Sequence, residues 1–225
     1  MRKEELLKVY KTLWSEYETI CRAAGASARP SDGSSIKIDE RTTNSKDIGI
    51  QALCFFPEWR YKKTSPKERI QILVQSRERY SRAENRISRS NVQVLYLRPP
   101  ANESAQSLLA LHYDYETPPL SGHPIFHAQF GMGDFPPQDL HAVGFRSTIK
   151  TPPKETLYSS VRIPTACMNF VSVLLGLAAD HLEEPIFDQI LKLVRKSDLS
   201  KWDAMCQAFE ARLQNGGYLP SHHWY

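Results

Sequence analysis

The sequence predicts an α+β protein: a largely antiparallel sheet packed on C-terminal helices, with an amphipathic helix at the N-terminus. Three observations predict it. Apolar segments that alternate with polar residues, or end at turn residues, succeed one another from Ser35 to Ile163. An uninterrupted helical stripe precedes them, and a strongly apolar helix with further helical segments follows. The 225 residues read as a single domain, with 1–24 as the N-terminal helix, 35–163 as the strand-rich part and 164–215 as the helical part.

The N-terminal helix rests on Leu6, Leu7, Tyr10, Leu13, Trp14, Tyr17 and Ile20/Cys21, spaced by threes and fours, with Gly25 past the last turn. Ile36 and Ile38 alternate with Lys37 and Asp39 as a first strand; a polar turn leads to a second, Ile48–Tyr61, whose regular part Pro57 ends. Ser65-Pro66, with Glu68 as the third member of a capping box, predicts a basic helix over 66–89, its apolar side formed by Ile70, Leu73, Val74 and Tyr80. Asn91–Leu97 is a strand stopped by Pro99-Pro100. Two aromatic-rich runs between Leu108 and Gly131 flank a Pro/Gly loop and predict a hairpin, and His141–Lys150 and Leu157–Ile163 follow as strands. Pro164-Thr165 opens an apolar helix to Leu182, expected across the sheet; Pro185–Arg195 and Ser200–Leu213 complete the helical part.

Composition bounds the class. Hydrophobic residues make up 41% and charged residues 24%, as in soluble globular chains. No apolar run approaches the roughly 18 residues of a membrane span. The opening MRKEELLKVYKTLW lacks the apolar centre of a signal peptide, so the expected location is the cytoplasm. Cys21, Cys54, Cys167 and Cys206 form no CxxC pair and read as free, mostly buried thiols. The net charge of +4 conceals an asymmetry: residues 60–98 carry eleven Lys/Arg against three Glu, which leaves the remainder at −4. Such a segment steers an acidic partner. There is no GxxxxGK[ST], GxGxxG, HExxH or GxSxG, which removes the main signals for P-loop, dinucleotide, zincin and nucleophile-elbow chemistry.

The chemistry gathers on the Leu108–Gly131 hairpin. With a six-residue loop, His112, Asp114, Glu116, His123, Ile125, His127 and Gln129 share one face, and His112 stands opposite His127. Two opposed imidazoles can act as base and acid at a 2′-hydroxyl and a phosphate ester, with Asp114 orienting a ring. Arg146 and Arg162 on neighbouring predicted strands can hold a phosphate. Arg79, Arg82 and Arg86, on the predicted basic helix, can track a nucleic-acid backbone. The competing chemistry is a divalent metal held by His112, His123 and His127. The plainer alternative is the solvated face of a half-buried sheet.

HPIFHAQFG followed by VRIPTACMNFVSVLLGLAADHL resembles uncharacterised bacterial families in which an H-P-x-x-H-x-Q strand precedes an R-x-P turn and an apolar helix. The resemblance covers about 108–182. It implies a bacterial origin and a toxin–antitoxin or phage-defence setting, and it brings no catalytic residues with it. The expected function is a nucleic-acid-associated protein, an RNase-like effector cleaving or transferring phosphodiesters through His112 and His127. The alternative is a non-catalytic subunit or antitoxin-like partner of a larger complex or homo-oligomer, docking through the N-terminal helix and the sheet face; the Tyr10/Trp14/Tyr17 stripe fits a partner interface as well as a core.

Overall fold

A computed structural model describes residues 2–26, 34–62, 65–83, 86–99, 104–116, 126–131, 135–150, 162–164 and 169–197. Their order is α1 (Lys3–Ala23), β1 (Ser34–Ile38), β2 (Asp47–Lys62), β3 (Ser65–Ser81), β4 (Arg86–Arg98), β5 (Ser104–Glu116), β6 (Phe126–Phe130), α2 (Pro137–Ala142), β7 (Thr148–Lys150), β8 (Arg162–Pro164), α3 (Phe170–His181) and α4 (Glu184–Lys196). The strands form one curled sheet in the order β1-β2-β3-β4-β5-β6-β8, an antiparallel meander; β7 adds in parallel to the start of β5. The α+β class, the antiparallel sheet, the N-terminal helix and the C-terminal helices are as the sequence predicts.

The basic helix over 66–89 does not form. That stretch is β3 and the start of β4, and β3 pairs with β2 along nearly its whole length. The capping-box residues Ser65, Pro66 and Glu68 lie in an extended strand. Ile70, Ile72, Val74 and Tyr80 are all buried in the same core, a period of two that the β-branched residues favour. Ser76 and Glu78 sit on the same buried side and hide the alternation from a reading by hydrophobicity alone. β2 also continues beyond Pro57, which lies where the register slips between Phe56 and Trp59; a bulge accommodates a residue with no N–H to donate. The strand expected over 141–150 is α2, a turn and the short β7. Pro164 ends β8, and α3 begins later, at Phe170, where the Asn169 side chain accepts from Ser172 N–H at 2.8 Å. The 200–213 helix, the Thr117–Gly122 loop, His123, Cys167 and most of the 157–163 strand lie outside the described residues.

Both sheet faces carry apolar packing. On the first, α1, α3 and α4 bury Ile50, Cys54, Phe56, Ile72, Val74, Val92 and Val94 under Leu6, Tyr10, Leu13, Tyr17, Phe170, Leu174 and Ile190. The Tyr10/Trp14/Tyr17 stripe is therefore core, at 0, 4 and 1% exposure, and not an outer docking surface. On the second face, Leu140, Val143 and Phe145 of α2 and its turn cover Leu53, Phe55, Leu73, Leu95 and Leu97. Arg60 and Arg69 are spent on the fold. Arg60 Nη2 donates to Ala24 O and Arg69 Nη1 to Gly25 O and Ala26 O, at 3.1–3.2 Å, which satisfies carbonyls at the negative end of α1. Gly25 adopts φ 63° there, the left-handed cap that ends the helix.

Candidate functional site

The second sheet face divides along the strands. Reading across β2, β3, β4 and β5, the row Phe55–Leu73–Leu95–Ala110 is apolar. Two residues further along each strand lies Leu53–Gln75–Gln93–His112, and β6 extends it with Gln129. The following row is Gln51–Arg77–Asn91–Asp114, and the last Gly49–Arg79–Arg89–Glu116. Successive rows are roughly 6.8 Å apart and neighbouring strands about 4.8 Å. The packing by α2 covers the apolar row and, of the next row, Leu53. Beyond it the sheet presents amides, arginines, an imidazole and a carboxylate.

At the centre Asn91, His112 and Asp114 form a closed cluster. Asn91 Nδ2 lies 2.6 Å from His112 Nε2 and 2.6 Å from Asp114 Oδ1, and the imidazole and carboxylate atoms are 3.2 Å apart. His112 and Asp114 are i, i+2 on one strand, so both project to the same side, and Asn91 faces Asp114 across the β4–β5 pairing. Their side chains keep 24% and 27% exposure, enough for a ligand to reach them. Arg77 and Arg89 are exposed and Arg79 half-buried. Arg79 stands directly opposite Arg89. Arg79 Nε, Gln75 Nε2 and Gln93 Oε1 are buried atoms without a hydrogen-bond partner.

The hairpin register differs from the expected one. His112 pairs with Gln129, and the position opposite His127 belongs to Asp114. β6 starts at Phe126, so the connection is longer than six residues and every pair moves by two; an even shift keeps His112, Asp114, His127 and Gln129 in the polar rows. Arg162 pairs with Gln129 in the His112 row. Arg146 does not join the cluster. It follows α2, is exposed, and donates from Nη1 to His141 O at 3.0 Å. Arg82 lies in the turn after β3, its N–H bonded to Lys46 O at 2.8 Å, and Arg86 begins β4 opposite Ser81. Of the three arginines assigned to the basic helix, Arg79 alone lies in these polar rows.

The sequence reading missed Asn91, Gln93, Arg77 and Arg89 as members of the site. Their signal was the alternation of Asn91 and Gln93 with Val92 and Val94, which already placed both on one strand face; pairing β4 with β5 brings them to His112 and Asp114. As for metals, no group of three His, Cys, Asp or Glu among the described residues is arranged to hold an ion. His112 Nε2 and Asp114 Oδ1, the atoms nearest each other, are both engaged by the Asn91 amide.

A second polar cluster lies under the opposite face. Glu78, 2% exposed, accepts from Phe170 N–H at 2.8 Å, from Ser90 Oγ–H at 3.1 Å and from the Tyr10 hydroxyl, which in turn meets the Tyr80 hydroxyl. Burial pushes the Tyr10 hydroxyl well above the ordinary tyrosine range, with the Glu78 charge acting the same way. This carboxylate ties β3 to β4, to α1 and to the first residue of α3. It is a structural centre.

Comparisons of the chain with protein-family models, curated proteins and solved structures return no match. No helix among the described residues is long and apolar enough to cross a membrane.

Proposed function

We propose that the polar end of the second sheet face binds the backbone of single-stranded RNA and that the histidines there act on its phosphodiester. The observation that carries this reading is the placement of Arg77 in the Asn91–Asp114 row, and of Arg79 and Arg89 in the row beside it. Arginines supply charge and forked donors for phosphate oxygens. Amides at Gln75 and Gln93 supply donors and acceptors for sugar or base edges beside them. Cleavage proceeds by internal attack. The 2′-hydroxyl gives its proton to one imidazole, the O2′–P bond forms, the P–O5′ bond breaks, and that imidazolium returns the proton to the leaving 5′ oxygen. His112 and His127 are the histidines on adjacent strands, one to hold the phosphate and one to move the proton. The setting that fits is a cytoplasmic bacterial effector of the toxin or phage-defence kind.

Binding of a labelled single-stranded RNA, followed against salt, tests the first half. Each of Arg77→Ala, Arg79→Ala and Arg89→Ala is expected to weaken binding and to lower the slope of log affinity against log salt by about 0.7. Gel analysis tests the second half: the wild type cuts RNA and leaves DNA intact, and His112→Ala binds without cutting. RNA and DNA both failing to bind at low salt would overturn the reading.

A further inference from the structure

The geometry of the Asn91–His112–Asp114 cluster bears on which nitrogen of neutral His112 carries the proton. An ionised carboxylate only accepts hydrogen bonds, so the amide atom 2.6 Å from Asp114 Oδ1 has to be the NH2 group; the amide oxygen there would meet another acceptor. The same NH2 nitrogen stands 2.6 Å from His112 Nε2. It has two hydrogens, one for each neighbour. The imidazole atom that receives the second must offer a lone pair, which puts the ring proton of neutral His112 on Nδ1. A proton on Nε2 would face the Asn91 donor directly. Asp114 Oδ1, 2.6 Å from the amide nitrogen, holds the amide, and the amide nitrogen, 2.6 Å from Nε2, holds the ring.

We infer that Asn91 is a positioning residue that holds neutral His112 as the Nδ1–H tautomer, so that the ring offers a ligand a donor and the site takes an anionic oxygen. This rests on the proposed function only in naming that oxygen as a phosphodiester oxygen. A neutral imidazole does not surrender Nδ1–H, because that would leave an imidazolate, and its Nε2 lone pair is already engaged. His112 therefore holds and polarises the phosphate, as a fixed dipole aimed at developing charge. Uptake of the 2′-hydroxyl proton falls to the His127 position, which the register puts opposite Asp114 on the adjacent strand. By register, Arg89 lies on the adjacent strand β4 and Arg77 one strand further, on β3; Glu116 occupies the position two residues beyond Asp114 and Arg162 a position in the His112 row.

Nitrogen-15 and carbon-13 NMR of histidine-labelled protein reads the tautomer directly. At about pH 8, where imidazoles in general are neutral, wild-type His112 is expected to show protonated Nδ1 and bare Nε2. In Asn91→Ala the proton is expected to move to Nε2, where it can bond Asp114, with the near-ultraviolet circular dichroism of the fold retained. Inorganic phosphate is expected to shift the Nδ1 resonance of the wild type more than that of Asn91→Ala. A wild-type ring protonated on Nε2 would overturn the inference whether or not the variant folds, and so would a tautomer unmoved in a folded Asn91→Ala. Neither result touches RNA binding, which the salt titration decides separately.

Discussion

Glu78 shows what a single side chain can hold together. In the sequence it is one of three acids in a basic segment. In the fold it is a buried acceptor for Tyr10, Ser90 and the Phe170 N–H. Buried donors left without an acceptor cost about 1–3 kcal/mol each, so Glu78→Ala is expected to lower unfolding stability by at least ~3 kcal/mol, measured by urea denaturation. Tyr10→Phe removes one donor and keeps the ring stacked on Phe170, 5.7 Å between centroids, so its expected loss is about 1 kcal/mol. Equal losses from the two variants would show that the Tyr10 hydroxyl bond alone, and not the carboxylate's bonds to Ser90 and Phe170, carries the junction. His112 was legible as a chemical candidate from its alternation with Asp114. Asn91 was not, because only the β4–β5 pairing makes it their neighbour.

The β1–β2 connection explains one glycine of β2. Asp39 N–H bonds Gly49 O and Gly49 N–H bonds Thr43 Oγ1, both at 2.9 Å, so the loop folds onto that residue. A Cβ at Gly49 would collide with Thr42 Oγ1 and come within 2.9 Å of Asp39 O, a backbone atom held by the Thr42 and Thr43 N–H groups. Gly49→Ala is expected to cost about 2 kcal/mol, read as a lower urea midpoint with an unchanged slope. Helices α1 and α3 were legible because their apolar stripes are continuous. The strand β3 was not, since Ser65-Pro66-x-Glu68 is a helix-start pattern and the two polar residues on its buried side, Ser76 and Glu78, break the visible alternation. Glu78 is stable inside because it finds its donors on the neighbouring β4 and on α1 and α3, two elements far away in the chain.

The molecule as a unit carries a consequence for alkaline pH. Burial holds the Cys21 thiol up to about 12 against an ordinary 9.0, and pushes Cys54, Tyr10 and Tyr17 well above their usual values. Each group ionises more readily in the unfolded chain, so the folded state binds more protons at high pH and stability falls as pH rises. The stabilisation is complete below the ordinary thiol value and is lost progressively from about pH 9 upward. Urea midpoints at pH 7, 9 and 10 are expected to decline in that order, and Cys54→Ala is expected to flatten the decline. A midpoint constant across that range would mean that these groups ionise without unfolding.

Sequence periodicity was sufficient for the α+β class, for α1, α3 and α4, and for a polar face on the 108–131 hairpin, since helical stripes and strand alternation are written in neighbouring residues. It was insufficient for the helix-or-strand choice at 66–89, for the two-residue hairpin shift and for the assembly of Arg77, Arg89 and Asn91 around His112. Those depend on which strands pair and in what register. Pairing is settled by burial and by hydrogen-bond partners supplied from distant parts of the chain, and no local pattern contains them.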